Sequence, residues 1–136
     1  LGQLGAISAI VVCGYGNIDE LTTTGPNVVS HYANGEVRTF ELNPLDYDLT
    51  PAHIWELLGG DARENARILR GILSGEVNGP KRDIVLLNAG AALVAAGKAN
   101  DFGEGIALAA DSIASGAALA KLDALIAFSQ ELAHGG

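Results

Sequence analysis

The chain has 136 residues, 49% of them apolar, with 16 acidic against 8 basic side chains for a formal net charge of −8. One domain is the natural count at this length, and roughly two-thirds of the unfolded surface can leave water without disulfides or metal clips. The single cysteine, Cys13, excludes an internal disulfide framework, and the acidic balance argues against nucleic acid and anionic membranes as partners, because such binding comes from clustered Lys and Arg.

There is no methionine, and Leu1 is too large to follow a trimmed initiator Met, so the chain reads as a piece of a longer polypeptide. The opening Leu1-Gly2-Gln3-Leu4-Gly5 lacks the basic start and apolar run of a signal peptide. The most apolar stretch, Ile84 to Ala96, is interrupted by Asn88 and is shorter than the ~20 residues of a membrane span. A soluble, cytoplasmic protein is expected.

In chain order, Ile7 to Cys13 is a short β-branched apolar run stopped by Gly14 and Gly16, which predicts a strand buried on both faces. Such a strand implies sheet neighbours and covering helices, and these are expected upstream. Val28 to Tyr32 and Val37 to Leu42 flank Asn34-Gly35, a pair that tolerates the positive φ angles of a two-residue hairpin turn. Pro51 to Leu58 predicts a short helix, ended by Gly59-Gly60.

Asp61 is placed to cap a helix from about Ala62 to Ser74, with Glu64 reaching back and Ala62, Ala66, Leu69 and Leu73 forming its apolar stripe. Gly79 and Pro80 open another helix, running to Gly97, whose nearly all-round Leu, Val and Ala surface predicts a sandwiched position. Phe102, Ile106, Ala109 and Ile113 stripe a helix that stops at Gly116, and Leu119, Leu122, Ile126 and Ser129 stripe the last. The expected fold class is α/β, locally α+β: one buried strand, a β-hairpin and four to five helices.

Among polar residues, Asp19-Glu20 lies just beyond the carboxyl end of the first strand, the edge where open α/β sheets bind ligands. Two adjacent carboxylates offer hard oxygen ligands, and Mg²⁺ is typically held by one or two carboxylates together with substrate phosphates. The same pair also reads as a helix start or a solvated turn. His31, His53 and His134 have no metal-box spacing with each other or with Cys13, and Cys13 reads as an inert buried thiol. Arg63, Arg67 and Arg70 share one helix side, which reads either as an anion-binding surface or, with Asp61 and Glu64 close enough to partner them, as a solvated face. Gly14-Tyr15-Gly16 lacks the remaining residues of a dinucleotide or Walker loop, and Gly59-Gly60-Asp61 reads either as a tight turn or as bare amides at a helix start.

The succession of segments resembles the carboxyl-terminal portion of the anthranilate phosphoribosyltransferase family. The matching pieces are Val11-Val12-Cys13-Gly14 through Ile18-Asp19-Glu20-Leu21, then Gly25-Pro26 with Asn34-Gly35-Glu36-Val37, and Tyr47-Asp48-Leu49-Thr50-Pro51. Gly59-Gly60-Asp61 with Glu64-Asn65-Ala66 and Ile68-Leu69, and Leu87-Asn88-Ala89 with Ala91-Ala92-Leu93, complete the run.

The resemblance implies residues 1–136 of a larger phosphoribosyltransferase and nucleoside-phosphorylase-like α/β domain, without its amino-terminal helical domain and phosphate loop. It implies transfer of phosphoribosyl from phosphoribosyl pyrophosphate to anthranilate in tryptophan biosynthesis, with Mg²⁺ as cofactor, Asp19 and Glu20 as metal ligands, and a homodimer for the complete enzyme. The family commonly carries His at the place of Cys13, an acidic residue at Gly16 and Gly at Asn17. Its Gly-rich phosphate loop, Lys-His-Gly-Asn region and anthranilate contacts have no counterpart here, so this stretch alone is expected to be inactive. Competing readings are a pyrimidine nucleoside phosphorylase-like enzyme and a non-catalytic α+β interaction module.

Overall fold

A computed structural model describes residues 1–134. Strands β1 (Ser8–Cys13), β2 (Asn27–Ala33) and β3 (Glu36–Leu42) form an antiparallel sheet in the order β1-β2-β3. Helices α1 (Ile54–Leu57), α2 (Ala62–Leu73), α3 (Pro80–Ala95), α4 (Phe102–Ala114) and α5 (Ala117–His134) follow, and short 3-10 turns cover Gly2–Leu4 and Pro44–Tyr47.

The hairpin forms where Asn34-Gly35 predicts it. Ala33 pairs with Glu36, and both turn residues sit at positive φ, 53° at Asn34 and 83° at Gly35, the mirror-image turn whose twist matches that of the strands. The first strand departs from expectation. It pairs antiparallel with β2, Ile10 opposite His31 and Val12 opposite Val29, so one neighbour lies downstream. Nor is it buried on both faces: Ile10 and Val12 turn toward the core, whereas Val11 is 55% exposed and Cys13 is also open to solvent. The reason is a one-sided sheet, since among the described residues the helices pack on the Val29 face alone. On the other face Val11, Val28 and Val37 remain exposed, and the Gly2–Leu4 turn rests against the Tyr32 ring.

The core joins Leu21, Val29 and Leu42 from the sheet side to Ile72, Leu86, Leu87, Ala91, Phe102, Ile106 and Ile113 from the helices. Helix α3 occupies the middle, against α1, α4 and β1, as its apolar surface predicts. The predicted stripe of α4 is buried at all four positions, Phe102, Ile106, Ala109 and Ile113. The stripe of α2 is not the predicted one. Gly71 and Ile72 are buried and Ile68 partly so; of the predicted stripe Leu73 alone packs against the core, while Ala62, Ala66 and Leu69 face solvent. The chain after α2 doubles back, with Val77 N–H donating to the Gly71 carbonyl at 2.9 Å and the Val77 side chain filling the space a Cβ of Gly71 would take. That return selects the Gly71 face. Asp61 caps α2 as expected, accepting from Glu64 N–H at 2.8 Å, but the Glu64 carboxylate turns to Arg67 at 2.7 Å. Helix α5 lies largely in solvent, with Leu119 and Leu122 its partly covered stripe residues and Ile126 39% exposed.

Candidate functional site

The loop from β1 to β2 is built on a short return of the backbone. Gly14 N–H donates to the Ile18 carbonyl at 2.8 Å and Asn17 N–H to the Gly14 carbonyl at 3.0 Å. Gly16 and Asn17 supply the left-handed residues this turn needs, at φ 77° and 64°. Gly14 is buried, and a Cβ there would collide with the Glu20 carbonyl, so the chain at residue 20 presses directly on the end of β1.

Asp19 and Glu20 follow this return and are exposed. Among the described residues neither carboxylate accepts a hydrogen bond or meets a basic partner. Their oxygens are therefore available to a hard cation, which is the donor chemistry Mg²⁺ requires. No group of three or more His, Cys, Asp or Glu able to hold a metal converges among the described residues. Two carboxylates fit Mg²⁺ as a partial ligand set, with water and phosphate oxygens completing it.

Downstream the loop is held in a different way. Leu21 and Thr22 are both fully buried, outside any strand, and asparagine side chains bind their main-chain groups. Asn88 Oδ1 accepts from Leu21 N–H at 3.0 Å and its Nδ2 donates to the Leu21 carbonyl at 2.7 Å. Asn27 Oδ1 accepts from Thr22 N–H at 2.7 Å and its Nδ2 donates to the Thr22 carbonyl at 3.0 Å. Beyond them Tyr15 lies over Gly25, leaving no space for a Cβ there. Thr23 adds a buried hydroxyl with no hydrogen-bond partner among the described residues.

The other singled-out residues lie elsewhere. Cys13 is exposed, not a buried thiol, because its side of β1 is uncovered. His31 approaches Ser8 Oγ at 3.4 Å, and His53 stacks on Trp55 with ring centroids 4.2 Å apart. His134 ends α5. Arg67 pairs with Glu64 at 2.7 Å as expected, whereas Arg70 pairs with Asp123 of α5 at 2.6 Å in place of Asp61 or Glu64, and Asp61 instead caps the helix. Gly60 N–H and C=O are both taken by the Asn65 amide, at 2.8 and 3.0 Å, so Gly59-Gly60-Asp61 is a closed turn and its Gly60 amide is not bare. A cavity of about 710 Å³ lies among α2 to α5, lined by Leu73, Leu86, Leu93, Leu108 and Ile113 with Lys98 beside them, and no residue of the β1–β2 loop reaches it.

Sequence reasoning placed Asp19 and Glu20 at the end of β1 but gave no role to Asn27 or Asn88. For Asn88 a signal existed: it is the one strongly polar side chain in the run Ile84 to Ala96, and a polar residue inside an apolar helix must find partners.

Residues 1–119 match the family described as "Glycosyl transferase family, a/b domain", and the chain belongs to that family. Relatives of this chain include anthranilate phosphoribosyltransferases. It is 52% identical over 131 residues to the one from Desulfatibacillum aliphaticivorans, covering 96% of this chain and 38% of that protein. Among solved structures, the anthranilate phosphoribosyltransferase of Thermus thermophilus superposes with a TM-score of 0.83 at 40% identity, over 93% of this chain and 37% of that one. The Saccharomyces cerevisiae enzyme in complex with PRPP and Mg gives a TM-score of 0.73 at 32% identity, over 84% and 33%. The chain thus spans well under half the length of the relatives it matches.

Proposed function

We propose that this chain is the carboxyl-terminal part of the α/β domain of an anthranilate phosphoribosyltransferase, an enzyme of tryptophan biosynthesis. The observation that carries the reading is 52% identity to such an enzyme across 96% of the chain. In the reaction, the anthranilate amine attacks the ribose C1 of phosphoribosyl pyrophosphate and pyrophosphate departs. Asp19 and Glu20 are the residues that would hold Mg²⁺, their exposed carboxylates standing beside the rim of β1 without internal partners. Bound there with the diphosphate, Mg²⁺ supplies charge stabilisation for the leaving group. The S. cerevisiae neighbour with PRPP and Mg supports both substrate and metal.

This chain's own contribution is to present the acidic pair rigidly. Positioning of both reactants supplies much of the rate in such a transfer, and that task falls to the parts of the enzyme outside this segment. The segment alone is therefore inactive in this reading, and the complete enzyme is a cytoplasmic homodimer. No single helix among the described residues is long and apolar enough to cross a membrane.

The test is replacement of both Asp19 and Glu20 by Ala in the full-length enzyme that carries this segment, with phosphoribosyl transfer followed against Mg²⁺ concentration. Turnover should fall and the Mg²⁺ dependence should shift. An unchanged metal dependence rejects the assignment.

A further inference from the structure

Asn88 sits in α3, 67 residues from the loop it binds. Its Oδ1 faces the Leu21 N–H, and its Nδ2 faces two carbonyls, those of Leu21 at 2.7 Å and Ile84 at 3.0 Å. This fixes the amide orientation, because the flipped amide would set NH₂ against N–H and oxygen against two oxygens. The Ile84 bond belongs to the preceding turn of the same helix and braces the side chain from behind. Leu21, buried and outside any strand, draws from Asn88 both hydrogen bonds a sheet neighbour would otherwise provide.

The placement bears on the carboxylates because Leu21 directly follows Glu20. On the near side, Ile18 is bonded to Gly14. Asp19 and Glu20 are thus the two residues between fixed points, one anchored to β1 and the other to α3. Few backbone directions remain open to a two-residue span so held. Asn27 secures Thr22 in the same manner from β2, one residue farther on.

We propose that Asn88 is a positioning residue for the cation held by Asp19 and Glu20: its paired hydrogen bonds to Leu21 set the direction in which the two carboxylates leave the fold. The proposal rests on the reading of those acids as metal ligands. Groups that orient ligands in this indirect way typically alter metal affinity by roughly 10–100-fold when removed.

The experiment titrates Mn²⁺ into the full-length enzyme in the presence of phosphoribosyl pyrophosphate, reading free Mn²⁺ by electron paramagnetic resonance. Asn88→Ala should weaken binding by about tenfold or more, and Asn88→Gln should recover part of that loss. Asn65→Ala is the control, since Asn65 clamps Gly60 with the same pair of bonds, at 2.8 and 3.0 Å, on a different turn; it should leave Mn²⁺ affinity unchanged. Wild-type affinity in a folded Asn88→Ala enzyme overturns the proposal, as does an equal loss in Asn65→Ala. If Asn88→Ala does not fold, Asn88→Gln decides, and full wild-type affinity in that variant overturns it. The Asp19→Ala, Glu20→Ala double variant should lose one bound Mn²⁺ per chain. If it binds as wild type, the metal reading fails and this proposal with it, whereas loss there with none in Asn88→Ala defeats the role of Asn88 alone.

Discussion

Gly105 of α4 lies directly against Gly90 of α3: a Cβ on Gly105 would stand 2.5 Å from the Gly90 carbonyl oxygen, and one on Gly90 would stand 2.9 Å from the Ile106 backbone nitrogen. The two helices meet backbone to backbone, and around Gly105 the atoms in the way, the O, C and Cα of Gly90, are main-chain atoms that no rotamer change can move. Gly105→Ala should therefore destabilise the enzyme by about 1–3 kcal/mol through overpacking, despite the better helix propensity of Ala. Urea denaturation should show a lower midpoint at unchanged slope. A midpoint equal to or above wild type would show that the helices part at little cost.

The contact between Arg70 and Asp123, 2.6 Å long, ties α2 to α5 across the surface, with about half of each side chain in solvent. Exposure on that scale leaves little net energy, since water already solvates both charges. A double-mutant cycle of Arg70→Ala and Asp123→Ala should give a coupling of about 0.2–1 kcal/mol in low salt. At about 1 M salt, where screening acts within roughly 3 Å, the coupling should largely disappear. A coupling of several kcal/mol that survives salt would contradict this account.

Tyr47 is held above its ordinary pKa, first by burial against the core and then by the negative charges of Asp46 and Asp101. The unfolded chain therefore loses this proton before the folded one as pH rises. Stability from the neutral phenol is complete below the unfolded value of about 10 and is lost as pH climbs through the higher folded value. The phenolate absorbance difference between wild type and Tyr47→Phe isolates this group, and its midpoint should lie above about 10 in the folded protein. The variant should also lose stability less steeply in that alkaline range. A midpoint at or below about 10 would remove the basis of the argument.

Local chemistry made some elements readable from sequence. Asn34-Gly35 announces its hairpin because both residues accept positive φ, and α4 announces its buried face because Phe102, Ile106, Ala109 and Ile113 offer one stripe without a rival. In α2 two stripes compete, and the choice of Gly71 and Ile72 over Leu69 depends on the return of Val77, a contact outside the helix. On β1, Val11 and Cys13 carry the pattern of interior residues yet are exposed among the described residues, because whether an apolar residue is covered depends on what packs against it. At the site, Asp19 and Glu20 were visible as neighbours after a strand. The hold of Asn88 on Leu21 was not, because it joins residues far apart in sequence through main-chain groups that carry no residue-specific signal.

The uncovered side of the sheet has a practical consequence. Val11, Val28 and Val37 are exposed on that side, one on each strand, and the peptide groups on the outer edge of β1 have no partner strand among the described residues. Such an edge is a template for strand addition by other chains. Expressed by itself, this stretch is set up to clump through stacking of identical sheets, and purification would call for dilute, low-temperature handling or a solubilising fusion.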